Sequence, residues 1–300
     1  MSTNRTNLLQ SKLINSRGLF WMITLPISGV MVYSMTGIEF TSGPAVSSMI
    51  QLSVRCAVPL LYVAFAASSV NVLMPGSFGR WILRNRKFIG LSFAAAMAWQ
   101  LFFILWMFTQ YTEYYIEQVY VLSDLIEGVG GYLLLAAMVL TSFRFGRSRL
   151  TAKRWKILHT VGIYWLWMYI WFAYWWYLFY NTTHVALDSV YYWAGFLAWA
   201  LRMAAWTKKR WTKASARLID GGTSRPLHWL PGVALVATGL VGVSFGSPWG
   251  RQIYEFVASV PVLETIGIYT PYFPFVPFFP LFLIMLGASL ILKTKGRPNL

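Results

Sequence analysis

The chain contains three histidines, two of which stand where an imidazole could bind a metal or haem iron. His159 opens an apolar, aromatic-rich run directly after a basic segment, and His228 precedes another apolar run at about the same predicted depth. Met97, ten residues into a third run, offers a thioether, which ligates haem iron in cytochromes c. These residues form a candidate cofactor site. The interpretation that we favour is that His159 caps its helix beside lipid head groups, and that His184 is solvated in a short turn.

Three charged residues lie deep inside runs that are otherwise apolar. Arg55 lies in the second run, and Asp124 and Glu127 lie three residues apart in the fourth, which places them on one helix face. Charged side chains inside a bilayer are costly, and they usually pair with one another or line a polar cavity. We therefore predict that Arg55 contacts Asp124 or Glu127 and so locks two helices together. The alternative is a proton or anion pathway, or a substrate pocket.

The composition indicates that membrane-spanning helices position these residues. Hydrophobic residues make up 57% of the chain and charged residues 11%, which leaves too little polar surface to cover a soluble globule. The net charge of +16 is explained by basic residues that accumulate in cytoplasmic loops, so nucleic acid is not an expected partner. The single cysteine, Cys56, excludes an intramolecular disulfide. We predict an all-α integral protein of the bacterial inner (cytoplasmic) membrane.

Hydropathy and charge predict an eight-helix bundle with both termini in the cytoplasm. The predicted spans are 18–35, 46–73, 88–109, 119–143, 157–180, 187–206, 229–245 and 276–292. Of the 25 basic residues, 22 fall in tails and loops that this topology assigns to the cytoplasm, as the positive-inside rule requires. The predicted parts are a cytoplasmic tail (1–17), a six-helix core (18–206), a basic cytoplasmic loop (207–227) and a two-helix extension (228–300).

The two-helix extension carries two patterns that are typical of close packing. Glycines follow one face of the predicted seventh span, where they would let another backbone approach; they are Gly232, Gly239, Gly242 and Gly246. The outer loop before the eighth span has a proline at every third position from Pro271 to Pro280, the repeat of polyproline II, interleaved with aromatic residues. The approaching helix can belong to this chain or to another. We expect this extension to contact another membrane or periplasmic subunit.

The fifth span is dense in tryptophan and tyrosine. Its outermost aromatic residues, from Tyr174 onward, match an interfacial belt. The deeper ones could line a slot for a flat cofactor such as quinone, carotenoid or haem. We favour packing, since buried Trp and Tyr usually find a partner for their polar atom.

Two motifs enter spans three and five: RNRKFIGLSF (84–93) and RWKILHTVG (154–162). With the topology, they resemble the ferric-reductase-like transmembrane domain, a family that includes the haem-binding membrane subunit of the periplasmic methionine sulfoxide reductase. The resemblance covers residues 18–206. It implies a helical bundle that holds b-type haem between histidines on two helices and passes electrons across the membrane.

The ligand pattern that the resemblance implies is mostly absent from this chain. The family has a histidine ten residues after the glycine in span three, sometimes with another at seven, where this chain has Gln100 and Met97. The second histidine of span five is replaced by Phe172, so only His159 remains. Because an amide and a phenyl ring do not replace an imidazole on iron, we expect no cofactor. A haem held by His159 with Met97 or His228, or a bound quinone, is the alternative.

Three functional classes remain, because the chain has no nucleophile triad, phosphate loop or nucleotide fingerprint. We favour a haem-depleted scaffold in the lipid bilayer that anchors or assembles a membrane complex. The alternatives are an electron-transfer subunit with an atypical haem or quinone site, and a small-molecule permease that uses the charged residues of spans two and four. The sequence does not decide whether the protein is an enzyme.

Overall fold

The computed structural model describes residues 9–37, 40, 42–120, 122–181, 184–219, 229–247, 249, 252, 255, 259–261 and 275–292, and this part of the chain is all-helical. Its longer helices are α1 Arg17–Gly37, α2 Gly43–Leu73, α3 Ser77–Gln110, α4 Leu122–Leu140, α5 Ala152–Phe179, α6 Ala186–Ile219, α7 Trp229–Ser244 and α8 Phe275–Ile291. Shorter helical segments are Thr112–Tyr114, the π-helical Tyr115–Val119, and Arg144–Arg147. The predicted all-α fold is confirmed over these residues.

Three of the helices are long and apolar enough to cross a membrane by length and composition. They are α1, α2 and α3; shorter apolar helices cover Leu125–Leu140, Trp229–Ser244 and Val276–Ile291. Helix α5 is 28 residues long, but Trp and Tyr occupy many positions that aliphatic residues hold in α1 to α3, and these amphipathic rings lower its mean hydropathy. The chain is therefore a helical membrane protein.

Two basic segments that lie outside the predicted spans are helical. Helix α3 begins at Ser77, eleven residues before the predicted span, so Arg80 and Arg84 lie in its first turns. Helix α6 likewise continues through its basic segment to Ile219, beyond the predicted end at 206. Lys and Arg are good helix formers. A drop in hydropathy shows where a helix leaves the apolar layer, but it does not show where the helix ends.

The described residues fall into two compact units. The first contains those up to Trp171 together with Val190–Trp199, and the second contains Phe172–Ser189 together with those from Ala200 onward. Residues 172–189 and 200–206, which the sequence analysis assigns to the six-helix core, are thus grouped with α7 and α8.

Within the first unit, contacts at both ends of α3 show how the chain reverses. At one end the segment before α1 lies on the first turns of α3: Trp81 Nε1 donates to the Ile14 carbonyl at 3.0 Å, and Ser16 N donates to Asn85 Oδ1 at 2.9 Å. At the other end, Tyr111 Oη donates to the Phe40 carbonyl at 2.8 Å. The segment before α1 and the α2–α3 link therefore share one end, and the α1–α2 link lies at the opposite end.

Within the second unit, α7 and α8 form an antiparallel pair that uses the glycines of α7. A Cβ at Gly232 would lie 2.8 Å from the Gly287 carbonyl oxygen, and one at Gly239 would lie 2.6 Å from the Pro280 carbonyl oxygen. Gly242 lies against the Pro280 ring, 2.8 Å from where a Cβ would be. The glycine face of α7 is therefore covered by α8 of the same chain.

The fourth glycine and the prolines have different surroundings. Gly246 has a φ of +68° and lies against the Phe179 ring of α5, so it ends α7 with a backbone conformation that glycine adopts without strain. Pro277 lies in the first turn of α8 and Pro280 lies inside it, so the proline repeat does not remain extended to its end. Pro271 and Pro274 lie outside the described residues.

Candidate functional site

The interior of the first unit contains a stack of four aromatic rings from α2, α5 and α6, which we call the aromatic column. Phe65 stacks on Trp167 with ring centroids 5.3 Å apart, Trp167 on Trp171 at 5.6 Å, and Trp171 on Tyr192 at 5.3 Å. The three interplanar angles are 13°, 10° and 16°. Each ring is at most 3% exposed. The column therefore ties α5 to helices on both sides of it.

The polar atoms of the column's indoles are bonded to backbone of α6. Trp167 Nε1 donates to the Gly195 carbonyl at 3.0 Å, and Trp171 Nε1 donates to the Tyr192 carbonyl at 3.1 Å. Gly195 lets the rings reach α6, because a Cβ there would lie 2.6 Å from Trp171 Cδ1 and 2.7 Å from Tyr62 Oη. Since the rings contact one another directly, a flat cofactor would have to separate them in order to bind between them.

The two span-three positions singled out by the family resemblance lie on α3 and face Tyr132 of α4. Tyr132 Oη donates to Gln100 Oε1 at 2.8 Å and lies 3.3 Å from the Met97 carbonyl oxygen. The amide that stands where the family has histidine is thus engaged with a neighbouring helix. Tyr132 lies in no motif, so nothing in the sequence singles it out.

His159 lies near the start of α5 and is held by residues close to it in the chain. Its Nε2 is 3.0 Å from Thr141 Oγ1, and its ring is 4.2 Å from the Trp155 ring, centroid to centroid. Trp155 Nε1 in turn donates to the Thr141 carbonyl at 3.1 Å. One imidazole nitrogen is therefore occupied by a hydroxyl, an arrangement that orients the ring and does not require a metal.

The other histidines do not join this group in the part of the chain that is described. His184 is exposed, and its Nδ1 lies 3.3 Å from the Asn181 carbonyl oxygen in the turn after α5. His228 lies outside the described residues, so its pairing with His159 stays a prediction. Among the described residues, no group of three or more His, Cys, Asp and Glu side chains could hold a metal ion.

Of the three charged residues that are predicted to cluster, the structure describes the side chains of Arg55 and Glu127. Arg55 is half-buried on α2, and its carbonyl accepts a hydrogen bond from Tyr191 Oη of α6 at 2.8 Å. Glu127 is half-buried on α4, whereas the side chain of Asp124 lies outside the described residues. Contact between Arg55 and either acid stays a prediction.

No protein-family model matches this chain, and neither a curated protein nor a solved structure matches it. The fold and the site therefore define a class only, a helical membrane protein with an aromatic column in its interior. The resemblance to the ferric-reductase-like domain rests on the two short motifs and stays a prediction.

Proposed function

We propose that this protein is a haem-free membrane subunit with a ferric-reductase-like core, which anchors or assembles a complex with another membrane or periplasmic subunit. The observation that carries this proposal is the hydrogen bond between Gln100 and Tyr132, 2.8 Å long. It occupies the position at which an electron-transfer member of the family would present an imidazole to iron. A glutamine already bonded to a tyrosine is a poor substitute for that ligand.

Two further contacts support the absence of haem. His159, which the resemblance retains as a ligand position, places Nε2 at 3.0 Å from Thr141 Oγ1. The aromatic column fills the space beside α5 with rings that are almost fully buried. A protein with close packing in place of ligands keeps the rigidity of the bundle, and rigidity is what an anchor needs. The same close packing does not favour the alternative of a small-molecule permease, whose helices must move.

We propose for this subunit eight spans with both termini in the cytoplasm of a bacterial cell. The reversals at the two ends of α3 support the order of the first three spans. The antiparallel contact of α7 and α8 supports the order of the last two. The basic residues at the start of α3 and in the α4–α5 link then lie in the cytoplasm, as expected for short loops.

Purified protein should lack the spectrum of haem b. We expect a reduced-minus-oxidised difference spectrum without sharp α and Soret bands at one haem per chain, because only one of the expected histidines is present. The matched comparison is a double variant, Gln100→His with Phe172→His, which restores the histidines that the resemblance implies. If the wild type has stoichiometric bands that disappear in His159→Ala, the protein is an electron-transfer subunit and the proposal is wrong.

Reporter fusions test the eight-span topology. A fluorescent protein that matures only in the cytoplasm should give signal when inserted after Ser148 or fused behind the last residue, and none when inserted after His184. The expectation follows from the distribution of basic residues between the loops. Signal at His184, or loss of signal at Ser148 with the fusion still inserted in the membrane, would contradict it.

A further inference from the structure

One end of the first unit concentrates positive charge without any acid. The segments 9–17, 77–90 and 144–156 together contain twelve basic residues and no Asp or Glu. The basic residues are Lys12, Arg17, Arg80, Arg84, Arg86, Lys87, Arg144, Arg147, Arg149, Lys153, Arg154 and Lys156. Since these segments carry no anion of their own, the surface needs counter-charges from outside them.

Contacts through the first turns of α3 bring the three segments together. Trp81 holds the segment before α1 through the carbonyl of Ile14. Lys87 reaches the α4–α5 link, where its Nζ lies 5.1 Å from the centroid of the Phe143 ring. The charge is therefore collected on one surface and is not spread over separate loops.

Three of the cations on this surface lie over aromatic rings. Lys87 lies over Phe143, the Arg147 guanidinium lies 5.1 Å from the Trp155 ring, and the Arg149 guanidinium lies 4.1 Å from the Phe145 ring. We call these three pairs the basic–aromatic cradle. Phe143 is 49% exposed and Phe145 is 66% exposed. Both rings closely follow the end of α4, where a membrane helix reaches the headgroup layer, and a cation above such a ring then lies at the level of the lipid phosphates.

The backbone of the cradle is fixed before any ligand binds. Arg147 Nη1 donates to the Leu150 carbonyl at 2.9 Å, which closes the turn between the two helices. Gly146 is buried directly against the Leu140 carbonyl, with no space for a Cβ. A preorganised turn pays less ordering entropy on binding than a mobile loop.

We propose that the basic–aromatic cradle binds the headgroup of an anionic phospholipid in the cytoplasmic leaflet. Charge complementarity selects a phosphate, and the exposed phenyl rings beside Lys87 and Arg149 select a phosphate that is attached to an apolar layer. A soluble phosphate would gain nothing from those rings. The site rests on the proposed topology, which puts this end of the first unit in the cytoplasm, and it does not rest on the proposed absence of haem. Its Trp155 ring packs on His159, but its three cations are not at the haem position.

The test uses the full-length protein in nanodiscs of phosphatidylcholine with increasing phosphatidylglycerol, with native mass spectrometry to count retained lipids. The wild type should retain phosphatidylglycerol selectively. The triple variant Lys87→Gln, Arg147→Gln, Arg149→Gln should bind it at least about tenfold more weakly, since each of these cations supplies charge and also lies over a ring that positions it for a headgroup. The matched control removes three exposed charges from the same end without touching a ring: Lys153→Gln, Arg154→Gln, Lys156→Gln. It should lose less than about threefold.

Several results would overturn the proposal. Equal losses in the two triple variants would mean that diffuse charge alone attracts lipid. Equal saturation by inorganic phosphate in phosphatidylcholine nanodiscs would mean a site for a free anion. If the cradle variant does not fold, the single substitution Arg149→Gln decides, because this side chain is exposed. It must still weaken phosphatidylglycerol retention measurably, and unchanged retention would refute the site.

Discussion

Replacing Gly239 with leucine should destabilise the α7–α8 pair by about 3 kcal/mol or more. A Cβ at this position would lie 2.6 Å from the Pro280 carbonyl oxygen and 3.1 Å from the Ile284 amide nitrogen. Both are backbone atoms, so the two helices must move apart rather than exchange a side-chain rotamer, and overpacking typically costs about 1–3 kcal/mol and occasionally more. Thermal unfolding of the purified protein in detergent, with the yield of folded protein, measures the effect.

The control for this substitution lies on the same helix. Ala237 is exposed on α7, so Ala237→Leu adds a side chain of the same size on a face that α8 does not cover and should leave stability nearly unchanged. Equal behaviour of the two variants would refute the packing described here. If Gly239→Leu leaves the monomer fully stable but prevents its assembly, the glycine face contacts another subunit and not α8.

Replacing Trp171 with alanine should destabilise the first unit by about 3–5 kcal/mol, the usual cost of removing a large buried ring. Trp171 is fully buried and is the third of the four rings of the aromatic column, stacked on Trp167 and Tyr192. Trp171→Phe keeps a ring in the stack but removes the hydrogen bond to the Tyr192 carbonyl, so it should cost less than the alanine variant. Chemical or thermal unfolding, followed by the tryptophan fluorescence that remains, measures both.

Trp211 provides the comparison, because it is 61% exposed near the end of α6. Trp211→Ala should change the unfolding temperature little, since few contacts are lost with it. A Trp171→Ala protein as stable as Trp211→Ala would mean that the column does not hold the helices. In that case the rings could separate, and a flat cofactor between them would become the better interpretation.

The sequence predicted helices in the right places wherever apolar residues follow one another. The predicted seventh span, 229–245, differs from α7 by one residue at its end. The predicted spans stop short of the basic ends of α3 and α6, because hydropathy reports only the apolar part of each helix. Helical spacing also put the glycines on one face of α7, but it did not name α8 as the helix that covers them.

The contacts of the candidate site were harder to predict from the sequence than the helices were. Gln100 could be recognised as a departure from a family pattern, but its partner Tyr132 is 32 residues away on a helix with no motif. The column needs Phe65 and Tyr192 to complete it, and the sequence does not distinguish Tyr192 from its aromatic neighbours Tyr191 and Trp193. Such contacts depend on how helices rotate against one another, which the spacing within a single helix does not determine.

The contact between the segment before α1 and Asn85 has a consequence for biosynthesis. Ser16 and Asn85 are 69 residues apart, so the amide of the earlier residue leaves the ribosome well before its acceptor exists. At roughly 5–20 residues per second this delay is on the order of several seconds. During that interval the Ser16 amide has no Asn85 to bond, and the segment before α1 can dock only after the first turns of α3 have been synthesised. Docking therefore becomes possible once the start of α3 has been synthesised, and a chain stalled before that point would leave this stretch exposed to proteolysis.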